Sequence, residues 1–68
     1  MRRQRQLKGY ILFYKGNGTI RPHYYRSKGG RTENVEKADM FTKIGDAMRT
    51  SAKMSGERIR YTVYPWFD

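Results

Sequence analysis

The sequence predicts a small α+β domain, an antiparallel sheet of three to four strands packed on one helix in the order β-β-(β)-α-β. Three observations predict it. An apolar, aromatic run at Gly9–Tyr14 leads into Asn17-Gly18, the strongest local turn signal in the chain and the opening of a hairpin. From Met40 the apolar period changes from two to about 3.6 residues, the repeat of a helix. From Arg58 it returns to two, with Ile59, Tyr61, Val63 and Phe67 alternating with Arg58, Arg60, Thr62, Tyr64 and Trp66, as a strand with one core-seeking face requires.

Met1–Leu7 carries three arginines and two glutamines without apolar periodicity, so residues 1–7 read as a basic arm and residues 8–68 as the single domain. The arm either follows phosphates or is a solubilising terminus. Gly9–Tyr14 is rich in aromatic and branched residues and reads as a strand buried on both faces. Asn17-Gly18, with Gly16 before it, suits the positive φ of a tight turn. Thr19–Ser27 then returns antiparallel, with Pro22 at an edge or bulge because it cannot donate a ladder hydrogen bond. On that strand Ile20 and Tyr24 share one face, and Arg21, His23 and Tyr25 share the other. Lys28-Gly29-Gly30-Arg31 is a second loop, and Asn34–Lys37 is either a short third strand or loop.

In the helix Ile44, Ala47, Met48, Ser51 and Ala52 fall on one face, with Phe41 near its start; Thr42 is the expected N-cap and Ser55-Gly56 the stop. Methionines on such a stripe fill cores far more often than they line grooves. The closing strand runs from near Glu57 to Phe67, with Trp66 outward and Phe67 inward unless a bulge near Pro65 exchanges them.

Size and composition narrow the function. At 68 residues this is one domain with a small core. With no cysteine and His23 the only histidine, neither a disulfide framework nor a metal site is expected, and no cofactor. The longest apolar run, Tyr10–Tyr14, is five residues, too short for a bilayer or a secretory signal, so the reading is a soluble cytoplasmic protein. An isolated histidine and scattered carboxylates supply no acid–base pair or nucleophile, so no enzymatic activity is expected.

The charge is the most informative bulk property. Fifteen Lys and Arg against six Asp and Glu give a net charge of +9, and residues 1–34 hold nine basic residues against one acidic. A positive field of that size attracts polyanions, anionic protein surfaces among them. A sheet covered by one helix leaves its other face open. The expected function is therefore nucleic-acid binding, with duplex DNA favoured over RNA. Arg2, Arg3, Arg5, Lys8 and Lys28 are the expected phosphate contacts, and Arg21, Tyr25, Arg58, Arg60, Tyr64 and Trp66 the sheet-face contacts. The alternative is a phage-type inhibitor or host-takeover factor that binds a protein through the same basic, aromatic face.

The hairpin followed by Ala38-Asp39-Met40-Phe41-Thr42-Lys43-Ile44-Gly45-Asp46-Ala47 resembles the arm-binding domains of tyrosine integrases and the related plant AP2 domains over about residues 8–54. Phe41, Asp46 and Ala47 carry the match. The resemblance implies a three-stranded sheet that docks in the DNA major groove. The same pattern is similar to many small phage and bacterial proteins of unassigned role.

Overall fold

The strand β1 (Leu7–Tyr14) lies between two antiparallel neighbours, β2 (His23–Arg26) and β4 (Thr62–Phe67), and β3 (Gly30–Thr32) pairs outside β2. The sheet order is β3-β2-β1-β4, and the helix α1 (Ile44–Met54) packs on one face. This computed structural model describes residues 5–67. The expected antiparallel α+β fold is the one observed, with β1 beginning at Leu7, inside the span assigned to the arm.

The connection from β1 to β2 is longer than a two-residue hairpin. Gly16, not Gly18, takes positive φ, at 92°. Asn17 Oδ1 accepts from the backbone N–H groups of Thr19 (2.8 Å) and Ile20 (2.7 Å), while Asn17 N–H donates to the Ile20 carbonyl at 2.8 Å. The asparagine thus closes its own turn, and β2 starts at His23 rather than Thr19. Pro22 lies in this loop. A Cβ on Gly16 would sit 2.9 Å from Pro22, whereas one on Gly18 meets nothing within 4 Å. Gly16→Ala is therefore expected to cost about 1 kcal/mol or more, and Gly18→Val well under that. Thermal melts of the two variants check it, and equal losses would contradict the turn assignment.

The other boundaries also shift. Gly29 and Gly30 have φ of 91° and 87° and turn β2 into β3, so the third strand precedes Asn34–Lys37. That segment instead contains a 3-10 turn at Val35–Lys37, capped where Asn34 Oδ1 accepts from Glu36 N–H at 2.9 Å. The helix N-cap is Lys43, without a side-chain hydrogen bond, in place of Thr42. The reason lies just upstream, where Phe41 exchanges backbone hydrogen bonds with Tyr10 (2.7 and 2.8 Å) and keeps the chain extended into the helix start. Arg58, Ile59 and Arg60 form a loop before β4, held by Gly56 N–H to the Ile59 carbonyl at 2.7 Å.

Tyr10 also explains Pro65. The two face each other across β1 and β4, and both backbone groups of Tyr10 are engaged with Phe41 on the opposite side. A residue opposite Tyr10 on β4 therefore needs no N–H toward β1, and β4 is an edge strand, where proline is tolerated.

The core cluster on the helix side is Leu12, Tyr14, Ala47 and Tyr61, with Tyr10, Ile20, Tyr25, Phe41, Ile59 and Val63 packed against it. Small Ala47 and Ser51, one turn apart, are the buried face of α1 and bring the helix close to the sheet. Ile44 and Met48 are exposed, contrary to the expected stripe, because they overhang the β4 edge with no further strand to cover them. Tyr61 and Val63 turn inward as the alternation requires, but Phe67 pairs with Leu7 beyond the core and is 44% exposed.

Candidate nucleic-acid interface

The residues opposite the helix are set by β-pairing. Phe13 stands across from Tyr24 on one side and Thr62 on the other, Ile11 across from Tyr64, and Gly9 across from Trp66. Cross-strand partners share a face, so Phe13, Tyr24, Tyr64 and Trp66 form a row of rings on the helix-free side. Phe13 lies 5.0 Å from Tyr24, ring centroid to centroid, and 5.8 Å from Tyr64. Tyr64 and Trp66 remain 45% and 36% exposed. Beneath them Ile11 is only 4% exposed although it stands outside the helix-side cluster. Met40 helps close this side: its Cγ lies 2.7 Å from where a Cβ on Gly9 would be. Both faces of β1 are thus packed, one by the helix and one by aromatic side chains.

The cations stand around this row. Alternation places Arg26 on the face of Tyr24. Where β1 ends and β4 begins, a cleft of about 250 Å³ is lined by Phe13, Thr62 and Tyr64 together with Lys15 and Arg60. None of the four strands contains an aspartate or glutamate.

Of the residues expected to make contacts, Tyr64 and Trp66 lie on this face and Arg60 at its edge. Arg2 and Arg3 lie outside the described residues. Arg5 is exposed ahead of β1, and Lys8 is exposed at the irregularity where β1 and β4 shift register between Leu7 and Gly9. Lys28 is exposed in the β2–β3 turn. Arg21 and Arg58 are exposed in loops, and each lends a backbone carbonyl inward, Arg21 to His23 and Arg58 to the Tyr14 hydroxyl at 3.2 Å.

Tyr25 is corrected. It stacks on Phe41 (6.3 Å, 22° between planes) and meets Tyr61 edge-on at 6.1 Å, so it belongs to the core side. His23, expected beside it on the open face, is also turned inward and is 3% exposed. Its ring approaches the Arg21 carbonyl at 3.0 Å and the Tyr61 hydroxyl at 2.9 Å. The inversion follows from the loop: Ile20 is not in β2, so its apolar character does not set the parity of Tyr24. Phe13, Tyr24, Arg26 and Lys15 stand on this face or line its cleft without having been singled out from the sequence. The unbroken apolar run Tyr10–Tyr14 gives no alternation from which to choose a face for Phe13.

Among the described residues no three or more His, Cys, Asp or Glu side chains gather where they could hold a metal, and no helix is long and apolar enough to cross a membrane. Comparison of the chain with protein-family models, with curated proteins and with solved structures finds no match. Relative to the three-stranded sheet that the integrase resemblance implies, β4 is an additional strand, and it contributes Tyr64 and Trp66.

Proposed function

We propose that this chain binds nucleic acid through the helix-free face of its sheet. The observation that carries the reading is the make-up of that face, a row of four aromatic rings on strands without a single carboxylate, in a chain of net charge +9. Phosphates attract this field, and the counterions they release supply sequence-independent affinity. Lys15, Arg26, Lys28 and Arg60 are the proposed phosphate partners, and Arg2, Arg3 and Arg5 add to the positive charge of the chain.

Binding isotherms at a series of salt concentrations test the reading, because log K should fall linearly with log salt. Deleting residues 1–6 removes three arginines and should lower that slope by about 2 to 3 units with little change in melting temperature. An unchanged slope would exclude the arm from the interface.

The second reading is a protein-binding inhibitor acting through the same basic, aromatic face. A protein partner is also suggested by a separate surface, an apolar groove of about 680 Å³ between α1 and the β4 edge, where Ile44, Met48, Val63 and Pro65 are among the lining residues. That reading requires a protein partner whose affinity survives high salt.

A further inference from the structure

Nucleic-acid binding by the sheet face leaves open which form of the polymer is bound, and the position of the rings bears on this. In a duplex the faces of the bases are stacked on one another, and only their edges and the backbone are available. Groove reading uses Arg, Lys, Asn and Gln aimed at those edges. Here the centre of the face is Ile11, Gly9, Phe13, Tyr64 and Trp66, and Lys15, Arg26 and Arg60 stand at or just beyond the strand ends. Flat rings at the centre and charges at the margin match unpaired bases on a backbone. The cleft beside Phe13 and Tyr64 joins both features, since Lys15 and Arg60 line it together with the two rings.

We propose that the ligand is single-stranded nucleic acid, with unpaired bases stacked on Trp66 and Tyr64 and one nucleotide seated in the Phe13–Tyr64 cleft, its phosphate against Lys15 and Arg60. This rests on the nucleic-acid reading and narrows it, since sequence alone favours duplex DNA. Bases splay onto the rings because every base has a π-face, so the preference is for strandedness and not for sequence. Rings already held by the packed strand pairs lose little freedom on binding.

Trp66 is the only tryptophan, so its emission reports on stacking at one known position. The full chain is titrated at low salt with a 20-nucleotide thymidine DNA strand, the matching uridine RNA strand, and a 20-base-pair DNA duplex, following both affinity and tryptophan fluorescence. The expected result is at least tenfold tighter binding of a single strand than of the duplex, with quenching by the single strand only. The DNA and RNA strands show whether the sugar matters. Tyr64→Ala should weaken single-strand binding by about five- to a hundredfold while leaving the salt slope nearly unchanged. Because Tyr64 also packs on Phe13 and covers Ile11, its melting temperature falls, and binding is measured below it, where circular dichroism shows the variant folded. Lys15→Gln with Arg60→Gln should reduce the slope instead.

Equal or tighter binding of the duplex, without quenching, would overturn the single-strand proposal and leave the nucleic-acid reading standing. Unchanged single-strand affinity in folded Tyr64→Ala would equally overturn stacking. Absence of binding to all three probes at low salt would remove both.

Discussion

Leu12→Ala is expected to remove a large share of the protein's stability. Among the described residues Leu12 is the one large side chain with no exposed surface. It sits in the middle strand, paired with Val63, in the cluster that includes Ala47 and Tyr61. Truncating a buried leucine costs about 2 to 5 kcal/mol through lost transfer energy and the cavity left behind. A domain of this size has a total stability of about 3 to 10 kcal/mol. The helix rests on small side chains, Ala47 and Ser51, which cannot move into the space. Urea denaturation measures the loss, and Leu12→Met, which keeps the volume, should cost less than about 1.5 kcal/mol. Similar losses for both would mean that the centre of the core lies elsewhere.

Tyr61 carries the second large effect. Its carbonyl accepts from Ser51 Oγ at 2.8 Å, its N–H donates to Ser55 Oγ at 3.1 Å, and its hydroxyl lies 2.9 Å from His23 Nε2. The Arg21 carbonyl can only accept, so Nδ1 of His23 donates to it, which leaves Nε2 of a neutral ring to accept from the Tyr61 hydroxyl. Tyr61→Phe removes that donor from a buried acceptor, at about 1 to 3 kcal/mol. Tyr61→Ala removes the ring as well, at about 3 to 5 kcal/mol.

The phenol also has a pH signature. Burial raises the Tyr61 pKa above its ordinary 10.0, with Arg31 opposing the rise and Tyr25 adding to it. A raised phenol pKa means the folded state holds the proton more tightly than the unfolded chain. The associated stability is fully present below about pH 10 and is lost as pH rises from there through the folded-state value. The advantage of the wild type over Tyr61→Phe should therefore shrink in alkaline denaturation. A constant difference from pH 8 to pH 11 would contradict this account of Tyr61.

The elements were legible because their periods differ, but their faces were legible only where the alternation is unambiguous. Tyr61, Val63, Tyr64 and Trp66 fall on the expected sides because apolar and polar-tipped residues alternate cleanly before the register irregularity. Tyr24 and Tyr25 are chemically the same, so the side each takes depends on where β2 begins. That point is set by the Asn17 side chain closing its turn and by Pro22 lying in the loop. Likewise the Lys43 cap depends on the backbone pairing of Phe41 with Tyr10, residues 31 positions apart, which no local signal announces. Arg60 and Lys15 meet at one cleft for the same reason, since only the β1–β4 register brings the two ends together.

The placement of β1 between β2 and β4 has a consequence for how the molecule comes into being. Its partners on one side are nearby in sequence, while on the other Leu7 must wait for Phe67. During synthesis the hairpin strands emerge first, but the strand they surround lacks one neighbour, and Leu12 lacks Val63. Closing a loop of that length precedes the reward of the contacts it permits, which slows folding. A nascent chain released only as far as Arg58 thus exposes Ile11 and Leu12 together. Folding on the ribosome should stall at that stage and complete only when residues 61–67 have emerged, a delay during which the aromatic first strand is open to aggregation or to a chaperone.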